Sequence, residues 1–185
     1  TILAGEPTLV GTNHLIKFAP TTQIAAAING GYFNRNNRMP LGAPKRDGKW
    51  LSSPILNRGA IGWNDKGQMQ IARLQMQETL TTSTGQILPI LALNSAYVQA
   101  GLGRYTTDWG STYTSMQANE LIVTVERDKV TQIIPGNAIG SVNVPIPPNG
   151  YLLALRGQPE LSASIPIGTT LTLKQQITPP EFDRF

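Results

Sequence analysis

Hydrophobic and polar residues alternate with a period of two along most of this chain. That period is typical of strands that bury one face, whereas apolar positions at helical spacing are scarce. The clearest strand is Glu120–Glu126, where β-branched residues stand between two charged ends. A short polar turn and a second apolar run over residues 130–134 follow it, so the sequence predicts an antiparallel hairpin here.

A second hairpin is predicted from residues 60–63 and 69–76 around a polar turn. Its return strand changes phase, so we expect a β-bulge near residues 72–73. Residues 88–93 predict a buried strand with an edge proline at its start. Two more strands are predicted over residues 151–155, after a Pro-Pro-Asn-Gly turn, and over residues 169–174.

Helix candidates are few and short. Residues 21–27 form one, although their small residues suit a strand equally well, and residues 95–100 form another. The segment 178–185 contains no closing element, which we interpret as a cut in a longer chain. With no repeat or linker evident, the pattern predicts a single partial domain over residues 1–185. Its expected class is a β-dominated α+β fold, with a mixed or antiparallel sheet, hairpins and few short helices.

Composition excludes several kinds of chemistry. The 185 residues include no cysteine and one histidine, so disulfides, thiolate catalysis and multi-histidine metal sites are excluded. The net charge of +4 arises from scattered basic residues, and this pattern does not favour nucleic-acid binding. No apolar run approaches the ~20 residues of a membrane-spanning helix. We therefore expect neither a cofactor nor a metal.

The most distinctive segment is Ala-Ile-Asn-Gly-Gly-Tyr-Phe-Asn over residues 27–34. The two glycines, Gly30 and Gly31, allow a sharp turn or the close approach of a ligand. The Asn29 amide and the rings of Tyr32 and Phe33 would suit a sugar, through hydrogen bonds to hydroxyls and contact with the C–H face. The alternative is a tight turn whose aromatic residues are buried in the core.

Three arginines are candidates for holding an anionic group. Arg35 and Arg38 lie in an Asn-rich loop, and forked guanidinium hydrogen bonds could hold a phosphate there. The alternative is a solvated polar loop. Arg58 precedes a strand between small residues, where it could point into a cleft or into solvent.

A further segment suits carbohydrate contact. Residues 104–113 are rich in aromatic and hydroxyl side chains and include Asp108 and Trp109. The alternative is an ordered loop that packs Trp109 on the sheet. No pair of carboxylates in this segment is recognisable as a glycosidase acid and base.

Taken in order, these segments resemble the phosphodiester glycosidase family, the relatives of N-acetylglucosamine-1-phosphodiester alpha-N-acetylglucosaminidase, whose bacterial members are often exopolysaccharide-related. Residues 27–34 are similar to the family's Asn-Gly-Gly-Phe-Phe element. Further similarities between residues 20 and 157 lie at residues 40–42, 46–48, 58–67, 104–110, 120–123 and 146–153. The family's second half has a Gly-Gly-Pro element and a Leu-Asp-Gly-Gly-Ser-type motif, and this sequence contains neither.

The resemblance implies the N-terminal portion of a glycosidase acting on sugar–phosphate diesters or envelope polysaccharide, inactive on its own. It implies that Arg58 stabilises phosphate charge, that Asn29, Gly30 and Gly31 shape a sugar pocket, and that Tyr32 or Phe33 forms its wall. It also implies a periplasmic or extracellular location. The alternative is a non-catalytic glycan-binding or structural module of the cell envelope. An apolar face left open by the missing half predicts self-association or a C-terminal partner segment that completes the fold.

Overall fold

The computed structural model describes residues 32–35 and 40–185, and β-strands dominate this part of the chain. Two 3-10 helices, Pro159–Ser164 and Pro180–Arg184, are the helical elements of the described residues. The predicted β-dominated fold class is therefore confirmed. In chain order the strands are β1 (Tyr32–Phe33), β2 (Pro40–Leu41), β3 (Lys45–Arg46), β4 (Lys49–Trp50), β5 (Gly59–Trp63), β6 (Met69–Arg73), β7 (Gln75–Thr82), β8 (Ile87–Leu93), β9 (Gly101–Tyr105), β10 (Thr112–Thr114), β11 (Glu120–Glu126), β12 (Lys129–Gly136), β13 (Asn143–Pro145), β14 (Gly150–Arg156) and β15 (Leu171–Thr178).

A seven-stranded mixed sheet in the order β12-β11-β14-β9-β8-β7-β15 forms the centre of the fold. Its neighbouring strands are antiparallel except for the parallel pair β8 and β9. The sheet curls until its two edge strands meet. The Val130 amide donates to the Thr169 carbonyl at 2.9 Å, and the Leu171 amide donates to the Asp128 carbonyl at 2.7 Å. The inner face is therefore enclosed by the sheet itself.

The enclosed face carries the main apolar core. Side chains of β7, β8, β9, β11, β14 and β15 alternate into it, as the period-two pattern requires. Ile165 and the half-buried Leu161, which belong to the segment after β14, pack against this cluster. The fully buried members of the core include Leu80, Leu102, Val123, Leu153 and Leu171.

The outer face of the sheet holds a buried polar network. The Arg156 Nε donates to Glu120 Oε2 at 2.9 Å, and its Nη2 donates to the hydroxyls of Tyr105 and Tyr113 at 2.8 and 2.7 Å. The Tyr113 hydroxyl in turn donates to the Glu120 carboxylate. Burial raises the pKa of both tyrosines, so their hydroxyls stay protonated and keep donating.

The first predicted hairpin is confirmed as β11 and β12. Arg127 and Asp128 form its turn with φ values of 49° and 63°, the left-handed conformation that two-residue hairpin turns favour. The strand after the Pro-Pro-Asn-Gly turn is confirmed as β14, and the strand predicted over residues 169–174 is β15, which begins at Leu171 and runs on to Thr178.

The second hairpin is confirmed as β5 and β6, but the bulge predicted near residues 72–73 is wrong. The strand ends at Arg73, and Leu74 is buried in a separate cluster with Trp50 and Phe182. The chain then enters the central sheet as β7, which pairs with β8 and β15. The phase changes because the chain leaves one sheet and joins another.

Three smaller expectations also need correction. The proline expected at a strand edge, Pro89, is the third residue of a strand lying between β7 and β9, and pairing with β9 starts only at Ile90. Residues 95–100 contain no helix. Segment 178–185 does contain a closing element, because its 3-10 helix buries Phe182. The helix candidate at residues 21–27 lies outside the described residues.

The hairpin of β5 and β6 leaves an apolar face exposed. Ile61 pairs with Ile71 and Trp63 pairs with Met69, and all four side chains are about half exposed or more. The opposite face is packed, since a Cβ added at Gly62 would lie 3.2 Å from the Phe185 ring. We call these four exposed residues the hairpin face. No helix among the described residues is long and apolar enough to cross a membrane.

We expect Glu120→Gln to lower the free energy of unfolding by about 3 kcal/mol. The change leaves the buried guanidinium of Arg156 without its carboxylate, and breaking one partner of a buried ion pair is strongly destabilising. Urea unfolding followed by circular dichroism measures the loss. Glu126→Gln, at the exposed end of the same strand, is the matched control, and an equal effect of both variants would contradict the network's role.

The predicted self-association would act through the hairpin face. We expect light scattering at increasing protein concentration to show a rising mean mass, and Ile71→Lys to abolish the rise, because it places a charge in the centre of the apolar patch. Ile167→Lys, at an exposed isoleucine that is not part of the hairpin face, should leave the rise unchanged. A monomer at all concentrations would show that the face does not bind a second copy.

Candidate functional site

A cleft of about 470 Å³ opens at the end of the curled sheet where β8 and β9 end. Residues 47–50, from the turn between β3 and β4 into β4, form one wall. Arg104, Thr106 and Asp108, from the end of β9 and the turn after it, form another. Leu93, Leu173 and Gln175 complete the lining. Pockets at the open ends of closed sheets are a common location for ligand sites.

The rim of the cleft is fixed by an ion pair and hydrogen bonds. Lys49 Nζ lies 2.6 Å from Asp108 Oδ2, and the Thr106 hydroxyl donates to the same carboxylate at 3.1 Å. Buried Asn94 accepts a hydrogen bond from the Thr106 amide at 2.7 Å and donates to the Leu51 carbonyl at 2.7 Å. Asn94 thus ties the turn after β9 to the chain that follows β4, which holds two walls of the cleft together.

The floor of the cleft is a buried ion pair. Arg104 donates to Glu78 through Nε at 3.1 Å and through Nη2 at 2.5 Å. Gln175, the cross-strand partner of Glu78, donates to Glu78 Oε1 at 2.6 Å. Arg104 and Glu78 are 7% and 3% exposed, so this pair is largely withdrawn from water. A two-point contact of this kind fixes the plane of the guanidinium.

Tyr151 lies beside the floor without a hydrogen-bond partner for its hydroxyl among the described residues. The Arg104 Cζ stands 5.6 Å from the centre of its ring. Burial raises the pKa of Tyr151 to about 12, and the positive charge of Arg104 only partly opposes this shift. The phenol is therefore neutral at physiological pH.

Trp50 links the cleft to the C-terminal 3-10 helix. Its Nε1 donates to Asp183 Oδ1 at 3.0 Å, and the ammonium of Lys45 lies 5.1 Å from its ring centre. Lys45 also donates to the Phe182 carbonyl at 3.1 Å. Desolvation lowers the pKa of Lys45, and the nearby Asp183 only partly offsets this. The segment after β15 thereby supports one wall of the cleft.

The sequence-predicted site residues lie elsewhere. The Arg58 guanidinium stands 4.5 Å over the Tyr32 ring, so the structure brings these two together. Tyr32 and Phe33 are exposed, so the alternative in which they are buried in the core is wrong for both. Arg35 and Arg58 are exposed as well, and neither lines the cleft. Asn29, Gly30, Gly31 and Arg38 lie outside the described residues.

The segment 104–113 divides between the cleft and the core. Asp108 lines the cleft, whereas Trp109 is buried with its ring 5.0 Å from that of Tyr105. The alternative in which Trp109 packs on the sheet is therefore confirmed. Sequence reasoning missed Glu78 as a site residue, although a carboxylate at an inward position beside Leu80 was a usable signal. Among the described residues, no group of three or more metal-binding side chains lies together.

Neither a protein-family model nor a curated protein matches this chain. A hypothetical protein from Synechocystis with a solved crystal structure is 42% identical over the whole chain, with a TM-score of 0.93. A protein described as a "putative exported protein" from Burkholderia pseudomallei K96243 is 20% identical over 81% of the chain, with a TM-score of 0.63, which shows a shared fold alone. The chain covers 34% and 37% of these two proteins, so it spans about a third of the length of each.

We expect Tyr151→Phe to leave the protein as stable as the wild type at pH 8, or more stable, because the change removes a buried hydroxyl that has no hydrogen-bond partner in the described part of the chain. At alkaline pH the variant should lose less stability. The folded-state pKa of about 12 exceeds the unfolded value of 10.0, so this group's contribution is complete below pH 10 and lost between pH 10 and 12.

Urea unfolding from pH 8 to pH 12 measures the difference between wild type and variant. Tyr97→Phe, at an exposed tyrosine, is the control and should follow the wild-type profile. Identical alkaline slopes for Tyr151→Phe and the wild type would contradict the buried position of the phenol.

Proposed function

We propose that the cleft binds a saccharide, and that this chain is the carbohydrate-binding part of a longer protein acting on envelope polysaccharide or sugar–phosphate diesters. The observation that supports this most directly is the alternation of polar groups around the cleft. Lys49 and Arg104 are donors, Asp47 and Asp108 are acceptors, and the Thr106 hydroxyl can act as both. Each sugar hydroxyl also donates and accepts, so a polyhydroxyl ligand can satisfy such a lining.

The rigidity of the cleft also supports a binding role. Asp108 is held by Lys49 and Thr106, and Thr106 is held by buried Asn94. Because these contacts within the chain hold Asp108 and Thr106 in place, these two side chains have little freedom to lose on binding. Pre-organisation of this kind raises the affinity that a given set of contacts can provide.

A hydrolytic role of the longer protein is the second candidate. It rests on the resemblance to phosphodiester glycosidases and on the stacked pair of Arg58 and Tyr32. A guanidinium held over an aromatic ring keeps its in-plane N–H groups available for phosphate oxygens. In this proposal Arg58 stabilises the charge of the phosphate, and Phe33 and Arg35 are close in the sequence to its stacking partner Tyr32. The chain on its own would then bind without turnover.

We expect calorimetric titration to detect binding of an oligosaccharide chosen from a glycan array. Asp108→Asn should weaken binding at least tenfold, because a hydrogen bond to a charged group contributes ~1.5–3 kcal/mol and about 1.4 kcal/mol corresponds to a factor of ten. Arg58→Ala should leave this affinity unchanged if the cleft is the binding site.

Asp65→Asn is the matched control, since it makes the same change in the exposed turn between β5 and β6. Loss of binding in Arg58→Ala but not in Asp108→Asn would move the site to the Arg58–Tyr32 pair. No saccharide binding by the wild type would reject the proposed function.

A further inference from the structure

The guanidinium of Arg104, at the floor of the cleft, has N–H groups that bond to no described residue. Of its five N–H groups, Glu78 engages one on Nε and one on Nη2 of Arg104. The Nη1 nitrogen of Arg104 makes no hydrogen bond with any described residue, and it is not among the fully enclosed polar atoms. Arg104 is one of the residues that line the cleft, which makes Nη1 its candidate donor to a ligand bound there.

A donor in this position favours a ligand with an acceptor oxygen. Arg104 is 7% exposed, so its guanidinium lies in surroundings of low dielectric even though Nη1 is not fully enclosed. A hydrogen bond from Nη1 to a ligand oxygen is stronger in such surroundings than in open solvent. The two bonds to Glu78 fix the direction in which that oxygen must lie.

The charges around the cleft restrict what else the ligand carries. Lys49 and Arg104 contribute two positive charges, whereas Asp47, Asp108 and Glu78 contribute three negative ones. Both cations are already paired, Lys49 with Asp108 and Arg104 with Glu78. Asp47 is the carboxylate without a counter-charge among the lining residues. The local charge balance therefore opposes a carboxylated or phosphorylated group in the cleft.

Building on the proposed saccharide function, we infer that the cleft is specific for an uncharged sugar unit, that Arg104 anchors this unit, and that Asp47 disfavours a negatively charged one. Nη1 of Arg104 donates to an acceptor oxygen of that unit. Glu78 and Gln175 act as positioning residues, because Glu78 holds the guanidinium and Gln175 holds the Glu78 carboxylate. Any phosphate or uronate of a larger substrate lies outside the cleft.

The test compares matched ligands on the wild-type chain. The probes are a neutral oligosaccharide that binds and its counterpart carrying one carboxylate or one phosphate on the bound unit. At low ionic strength we expect the neutral ligand to bind at least tenfold more tightly. Raising the salt concentration should narrow the difference, because salt screens the repulsion from the exposed Asp47 carboxylate. Equal or tighter binding of the charged ligand would overturn this inference while leaving the saccharide function in place.

Two variants separate charge from geometry. Asp47→Asn should reduce the preference for the neutral ligand, and it is compatible with folding because asparagine tolerates the φ of 52° at this turn position. Arg104→Lys keeps the positive charge but lacks the planar set of N–H groups that bonds to Glu78 and to the ligand together. The affinity for the neutral ligand should therefore fall about tenfold. Arg73→Lys, at an exposed arginine on β6, is the control.

Near-ultraviolet circular dichroism checks that Arg104→Lys is folded before titration. Unchanged neutral-ligand affinity in a folded Arg104→Lys variant would contradict the assigned role of Arg104. An unchanged preference in Asp47→Asn would contradict the charge argument. Absence of binding by every saccharide would reject the inference together with the proposed function.

Discussion

The hydrogen bonds that join the two edges of the central sheet determine the rest of the architecture. They run between residues 128–130 and 168–171, so the hairpin of β11 and β12 meets the start of β15. Joining the edges converts one face of the sheet into an enclosed core and leaves two ends. One end adjoins the segment after β14, where Ile165 packs against the core. The other end holds the cleft.

The closed sheet contains two buried arginine–carboxylate pairs on opposite faces, and their hydrogen bonding differs. On the outer face, Arg156 is bonded to Glu120 and two tyrosine hydroxyls. On the inner face, Glu78 is the one described residue to which Arg104 donates, and Nη1 has no described partner. The first pair completes a core, whereas the second ends at an open cleft. This difference is why we assign structure to one pair and recognition to the other.

Two neighbouring residues of β9, Gly103 and Arg104, face the outer polar network and the cleft respectively. Gly103 points toward the outer network, where an added Cβ would lie 3.1 Å from Arg156 Nη1. The next residue, Arg104, points inward to the floor of the cleft. Strand alternation places the two arginine networks on either side of one backbone. A change at this strand would therefore disturb both the outer core and the cleft.

The sequence predicted the strands well because alternation is a local property. It predicted the hairpin of β11 and β12 from two apolar, β-branched runs around a short polar turn, and it identified Asp108 within a segment suited to carbohydrate. It could not predict the cleft, because Lys49, Glu78 and Asp108 come together only when the sheet closes. The sequence predicts a bulge where β6 in fact ends before Leu74. A change of phase in the apolar pattern does not reveal that the chain leaves one sheet and joins another.

The same limit applies to the arginines. The sequence makes Arg58 a candidate because small residues surround it, yet Arg58 is exposed and stacked on Tyr32. Arg104 lies in β9 between Gly103 and Tyr105, and these neighbours do not indicate that its side chain lies at the floor of a cleft. What separates the two is burial: an exposed guanidinium is fully solvated, and a ligand must displace that water. At Arg104 the solvent is already largely excluded, so a hydrogen bond to a ligand oxygen adds more to binding there. The cleft is therefore the stronger candidate for recognition, although the resemblance drew attention to Arg58.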